Sequence, residues 1–414
     1  MLIKLSRTLL LIIIVVVAAH YLPKLYWMKF EKNIKTPFIT YSPIIKDFIL
    51  TAHSATDVSF DLKWKDTKGN FYDREDNDSL LPFMNYRQLA ALNKMPDSID
   101  GIRISLESVR LNNFNFILHS YTINSKTIPL YQLYESKSGR LKLEAPQDFF
   151  RIDDKMEFIE SEPNKINEEK TKLFTQALVS NNFKFPAKII AGNPTTKKPF
   201  DEGYFVLDSG NKLFHIKMVK GQPFCVNTNV PADLNIAHIS ALEMNLKEFY
   251  AYIITEKNEI FLLSYDNYKL IQLPVKNYDR NKNTVLIFGD LFYRTISITG
   301  GNKVEVFVTD RKYKLLDYYK ETYLGNDEST YGNVAAYIFP FTINFEDDNT
   351  SWMDFYIKFS DIRVFPVTLL SLLITLFMIK RRKQSLSESY IDFVVVLLSG
   401  IFGLIAIAVI KNTD

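Results

Sequence analysis

Three apolar runs at the two ends of the chain limit its fold more than any other feature. Leu9–Ala19 is unbroken and follows Lys4 and Arg7, Val364–Ile379 is 16 residues without a charge, and Phe393–Ile410 supplies 18 more. Crossing ~30 Å of hydrocarbon takes about 17–25 apolar helical residues, so these runs predict an N-terminal signal anchor and a C-terminal transmembrane helical hairpin. Tyr21, Leu22, Tyr26 and Trp27 prolong the first run into an interfacial belt, which favours a retained anchor over cleavage after the small residues Val17 and Ala19. The resulting division is an anchor over residues 1–29, an exported domain over 30–362 and the hairpin over 363–410.

Charge sets the orientation. The loop between the last two runs opens with Lys380, Arg381, Arg382 and Lys383, and cations in short loops stay in the cytoplasm. Lys4 and Arg7 agree with it. Lys24, Lys29, Lys32 and Lys35 pull the other way, but long domains are exported largely regardless of flanking charge. The expected location is the bacterial inner membrane, multi-pass, with the main domain periplasmic and membrane lipid in contact with the ends. Within the third run Ser399 and Gly403 stand four apart, a small-xxx-small pair that would let the second run pack closely. Across the whole chain 50 Lys and Arg face 47 Asp and Glu, a net charge of +3, which excludes nucleic acid as a partner held by bulk electrostatics.

The middle of the chain predicts a mainly β fold. Aromatic residues make up 14% of the sequence, and they fit pleated, half-buried surfaces. Residues 30–200 mix strands such as Pro37–Tyr41 and the alternating Val58–Trp64 with helices near Met84–Lys94 and after the cap candidate Asn167. From 201 to 360 the pattern becomes antiparallel meanders. Tyr204–Leu207 turns into Lys212–Val219, Phe249–Thr255 into Ile260–Ser264, and Phe292–Thr299 into Val304–Thr309. The aromatic openings Tyr204, Tyr250 and Tyr293 recur at roughly blade length, so an irregular propeller is one expected arrangement and a sandwich or α+β fold the other.

Chemistry is hard to find in the sequence. The five histidines, His20, His53, His119, His215 and His238, have no metal-ligand spacing, and the single cysteine, Cys225, reads as a packing residue. Gly192–Lys198 resembles a phosphate loop but lacks the second glycine, and Pro194 favours a turn. Asp73, Glu75, Asp76 and Asp78 read as a solvated loop more readily than as a cation site, with Arg74 embedded among them. No nucleophile elbow is present. No cofactor, metal or catalytic residue is expected from these patterns.

Several short motifs carry a resemblance. Pro37-Phe38 with Tyr41-Ser42, Ser79–Pro82 with Tyr86–Leu89, Leu130–Ser136 with Ser138–Arg140, and Gly192–Thr196 running into Asp201–Tyr204 resemble a family of uncharacterised Gram-negative envelope proteins classified as a domain of unknown function. That family's central motif has proline and phenylalanine where Gln132 and Tyr134 stand here. The resemblance implies association with ATP-binding cassette transporters and assigns no role to any residue. The leading expectation is a non-enzymatic accessory or permease-like membrane subunit whose periplasmic domain binds a ligand or partner, with other membrane or transporter subunits as partners. A membrane-tethered envelope hydrolase or transferase and a periplasmic sensor or scaffold are the rivals.

Overall fold

The computed structural model describes residues 2–30, 37–52, 63–125, 127–323, 325, 328–346, 353–387 and 389–411. His53, Lys32, Lys35 and the Val58–Leu62 part of the expected alternating strand lie outside them. Ten helices are described: α1 (Leu2–Phe30), α2 (Arg74–Leu80), α3 (Tyr86–Ala91), α4 (Leu106–Asn112), α5 (Ser120–Asn124), α6 (Glu168–Ser180), α7 (Thr330–Ile338), α8 (Phe365–Arg381), α9 (Tyr390–Ser399) and α10 (Ile401–Val409). The rest is dominated by antiparallel sheets, none of them closed into a barrel.

Among the described residues five sheets of three or more strands form the β region, with a small two-stranded pair at Ser98–Ile99 and Ile102–Arg103. Sheet I holds four strands between Ile39 and Tyr72, sheet II three between Asp148 and Ile166, sheet III four between Ala187 and Asn227, and sheet IV four between Ile236 and Gln272. Sheet V holds four between Thr284 and Thr322, and Phe114–Leu118 joins its edge beside Thr284–Gly289. The three strand pairs expected from the meander pattern all form, at Tyr204–Asp208 with Leu213–Val219, Phe249–Thr255 with Ile260–Ser264, and Tyr293–Gly300 with Lys303–Asp310. Pairing runs across residue 200, because Ala187–Gly192 is the first strand of sheet III. Sheet V likewise borrows Phe114–Leu118 from the expected α+β part, so the two parts share sheets and cores.

Strand periodicity explains why the central strands read as continuous apolar runs. Successive side chains point to opposite faces. On Tyr204–Asp208, Tyr204 and Val206 pack with Phe150 and Phe158 of sheet II, while Phe205 and Leu207 pack with Ile253 and Leu263 of sheet IV. On Phe249–Thr255 the same alternation sends Ala251 and Ile253 toward sheet III and Tyr252 and Ile254 toward Val285 and Ile296 of sheet V. Sheet V then uses Val304, Val306 and Val308 against Phe48 and Leu50 of sheet I. The order of packing is therefore II, III, IV, V, I, and among the described residues no hydrophobic cluster joins sheets I and II. A strand sandwiched between two sheets has no solvent face on which polar residues could alternate.

The helices obey their caps. Asn167 Oδ1 accepts from Lys170 N at the start of α6, and Phe174 and Leu178 are buried against sheet II. The expected helix near Met84–Lys94 is α3, shorter by a few residues at each end. The acidic cluster is not a loop: Asp73 caps α2 by accepting from Asp76 N, and Asp76 returns the contact in a capping box.

The third apolar run departs from expectation. Phe393–Ile410 predicts one crossing helix, yet the chain breaks at Gly400, with φ +53° and ψ −125°, into α9 and α10. The two pieces run back along each other. Arg7 Nη2 lies 2.7 Å from Asp392 Oδ1 near the start of α9 and 3.3 Å from the Ile410 carbonyl just after α10, so both ends of the pair meet α1 at one level. At 1.5 Å per residue each piece is only about 15 Å long, half a hydrocarbon thickness. The physical cause is a backbone conformation in which a side chain would be strained, occupied by glycine. Among the described residues two helices, α1 and α8, are long and apolar enough to cross a membrane.

Candidate functional site

The motif residues of the central chain converge on a buried ionic centre between sheets III and IV. Lys198 Nζ donates to Asp201 Oδ1 at 2.6 Å and to Glu243 Oε1 at 2.8 Å, with all three side chains about 2% exposed or less. Ser136 Oγ donates to Asp201 Oδ2 at 2.6 Å, Gly203 N donates to the same oxygen at 3.0 Å, and Asn193 Nδ2 donates to Glu243 Oε2 at 2.9 Å. Gly203 has φ +66°, and a Cβ there would lie 2.2 Å from the Ile216 carbonyl oxygen, so the motif glycine permits both the turn and the close approach. Burial raises the Glu243 pKa, and the Lys198 ammonium opposes that rise. With Lys198 engaged on two carboxylates, the Gly192–Lys198 segment is a structural turn and not a phosphate cradle.

A second staple joins sheets IV and V. The Arg294 guanidinium, fully buried, reaches Glu248 Oε1 through Nε at 3.0 Å, and its Nη1 donates to the Tyr293 carbonyl at 2.9 Å. Tyr313 also donates to Glu248. Glu243 and Glu248 thus belong to one loop, between Ile236–Ala241 and Phe249–Thr255, that ties sheet IV to its neighbours on both sides. Burial of an ion pair is tolerated only when its remaining donors and acceptors are met, which is the case here.

The other titratable candidates are spent on packing. His215 has one ring nitrogen 2.9 Å from Tyr268 Oη and the other 2.6 Å from the Glu202 carbonyl, and burial pulls its pKa down to about 4. Burial also lowers His238 to about 4 and pushes the Cys225 thiol up to about 12, which makes it a poor nucleophile near neutral pH. His119 stacks on Tyr121. Among the described residues no group of three His, Cys, Asp or Glu side chains is placed to hold a metal ion.

An open cleft of about 650 Å³ lies elsewhere, between α1, α7 and the hairpin formed by Phe341–Glu346 and Met353–Phe359. Trp27, Phe339, Phe341 and Phe359 supply apolar wall, and Ala335 and Ala336 of α7 leave room because they carry only a methyl group. Lys24, Lys358 and Arg363 also line it, with Asp361 as the one carboxylate among the described residues. Arg363 is held by Asp361, with Nε 2.9 Å from both carboxylate oxygens, and also donates to Asn333. That pairing holds the Asp361 carboxyl down at about 2. His20 Nδ1 lies 2.8 Å from the Ile343 carbonyl and fixes α1 to the hairpin. The volume is within the range of small-molecule sites.

Of the residues singled out in the sequence, the four cations fall at the end of the helices away from the cleft. Lys380 and Arg381 are exposed in the last turn of α8, Lys383 is exposed just beyond, and half-buried Arg382 lies 3.5 Å from the Ile407 carbonyl. Ser399 and Gly403 flank the Gly400 reversal, where Ser399 Oγ donates to the Val395 carbonyl. A Cβ on Gly403 would lie 2.8 Å from Val395 O and Val396 Cα, so the close approach at that position is between α9 and α10. Neither the cleft nor the buried Arg7–Asp392 pair was singled out in advance. A charged residue interrupting the flank of an apolar run, as Asp392 does before Phe393, is the signal that could have found the pair.

Residues 38–309 match a family described as Domain of unknown function (DUF4857), more than half of the 414-residue chain. The chain belongs to the DUF4857 family. No curated protein matches it. The DUF4857 region contains the Lys198 and Arg294 ion pairs and all of sheets I to V except the last strand of sheet V, so those staples are part of what the family match covers. The cleft takes no described lining residue from sheets I to V and is built from α1, α7, the hairpin and the residues just after it, all outside that region.

Proposed function

We propose that the protein is a bacterial inner-membrane subunit in which α1 and α8 cross the bilayer and carry the β region on the periplasmic side. The observation that supports this most directly is the gathering of cations at one end of the helices. Arg7 and Arg382 both reach the end of α10, and Lys380, Arg381 and Lys383 stand beside them. Under the positive-inside rule that end faces the cytoplasm. The β region connects at the other end, through Phe30 of α1 and Phe365 of α8. Because α9 and α10 return to the end they left, the last residues lie on the cytoplasmic side in this reading.

The β region then acts as a binding platform, an open, propeller-like series of sheets, in an accessory or permease-like subunit of an ABC-type transport system. Buried charges committed to inter-sheet staples support binding and assembly over chemistry, and the transport assignment leans on the family resemblance. Cysteine labelling in intact spheroplasts tests the topology in a Cys225→Ser background. Asn258→Cys, in a sheet IV turn, reacts with an impermeant maleimide from outside, and Lys383→Cys reacts only after lysis. The reverse pattern overturns the proposal. Co-purification from native membrane tests the subunit role, and a chain isolated only by itself counts against it.

A further inference from the structure

We propose that the cleft between α1, α7 and the 341–359 hairpin binds the headgroup of an anionic membrane amphiphile, with an acyl chain laid against its aromatic wall. The inference rests on α1 and α8 crossing the bilayer, and it follows from where their cations fall. Arg7 and Lys24 on α1 are 17 residues apart, as are Arg363 in the 3-10 turn that leads into α8 and Lys380 in the last turn of α8. At 1.5 Å per residue each interval spans about 26 Å, close to the hydrocarbon thickness. The two helices run in opposite directions, so Arg7 and Lys380 mark one boundary while Lys24 and Arg363 mark the other. Both residues of that second boundary line the cleft.

A cleft at headgroup depth meets lipid before it meets any solute. Lys24, Lys358 and Arg363 line it, and the one carboxylate among the described lining residues, Asp361, is engaged on Arg363, so Lys24 is the charge that favours an anionic head. Arg363 is braced by Asp361 and Asn333, so it presents a fixed guanidinium edge, and among the described residues Lys24 has no acidic partner. The apolar side continues into lipid-facing surface. Phe359, Ile362 and Phe365 are 73%, 87% and 65% exposed in sequence from the hairpin into α8, and Leu369, Leu370 and Leu373 follow. That strip gives a chain a dry path from the cleft to the bilayer interior. A free anion would use the cations and leave the aromatic wall bare.

The test uses the full-length chain in nanodiscs, with Trp27 as the sole tryptophan after Trp64→Phe and Trp352→Phe. Brominated phosphatidylcholine first reads whether Trp27 is at the bilayer: quenching is expected, and its absence overturns both this proposal and the membrane-crossing reading. Titrating phosphatidylglycerol into phosphatidylcholine discs is then expected to give a saturable shift of Trp27 emission and a lipid retained on native mass spectrometry. Lys24→Gln weakens that binding about fivefold, Ala336→Phe fills the cleft without adding a second tryptophan and abolishes it, and Lys29→Gln, outside the cleft, leaves it intact. Quenching with equal response to the two lipids, or full selectivity in both Lys24→Gln and Ala336→Phe, overturns the cleft proposal alone. Inorganic phosphate that competes as well as the lipid overturns the amphiphile in favour of a simple ion.

Discussion

Replacing Lys198 by methionine isolates what the ionic centre contributes. The side chain is buried, its length and packing against Tyr134 are approximately kept, and the change removes two contacts, at 2.6 Å to Asp201 and 2.8 Å to Glu243. Asp201 keeps Ser136 Oγ and Gly203 N, and Glu243 keeps Asn193 Nδ2, so each carboxylate retains donors but loses its counterion. Removing one partner of a buried pair costs about 3–5 kcal/mol because the remaining charge is stranded. That corresponds to roughly 6–20 °C in the melting midpoint of the β region. The sign with pH follows from Glu243. Its folded pKa is already raised by burial, and loss of the ammonium raises it further. On acidification the folded variant therefore binds a proton before the unfolded chain does, and the deficit narrows as pH falls. Thermal and urea unfolding of the full-length chain at pH 8 and pH 5.5 reads both effects, with Lys198→Met/Asp201→Asn/Glu243→Gln as a neutral comparison that recovers part of the loss. A deficit under about 1 kcal/mol, or one equal at the two pH values, would refute the reasoning.

Other outcomes follow from the same geometry. Arg7→Met and Asp392→Asn each destabilise the detergent-solubilised chain by about 3 kcal/mol or more, and the double variant loses less than their sum; strict additivity in thermal aggregation assays would dissolve the pairing. His215 stays neutral in the fold down to about pH 4 while the unfolded chain protonates near 6.5, so its contribution is present above pH 6.5 and lost on acidification. Lowering pH from 7.5 to 5.5 is expected to cost about 1 kcal/mol through this residue, and His215→Gln flattens that slope in urea titrations. Cys225 is half-buried with its thiol pushed up, so maleimide at pH 7.5 modifies it slowly in the native chain and rapidly in urea. Equal rates would show the strand Gln222–Asn227 to be open.

Some of this was legible because it is local. The first two apolar runs, the Asn167 cap and the paired strands of the meanders depend on residues close in sequence, and each is found where the pattern put it. The acidic cluster at Asp73–Asp78 was read as a solvated loop because capping boxes and loops share the same residue types; the Asp73–Asp76 exchange becomes evident only with the backbone in view. The motif residues around Gly192–Tyr204 were visible as turn formers, and their turns are real, but the role of Lys198 was not visible, since Glu243 and Ser136 are 45 and 62 positions away.

By itself, then, the chain's residue order determined which end segments are apolar enough to form long helices, where the cations gather, and which neighbours pair as antiparallel strands. Tertiary structure decided the stacking order of the sheets, the two salt-bridged seams beside sheet IV, the cleft at Lys24 and Arg363, and the reversal at Gly400. The division has a physical basis. Hydropathy and strand period are sums over adjacent residues, whereas a buried charge must find its counterion, and a glycine its unusual dihedrals, from whatever the folded chain brings alongside.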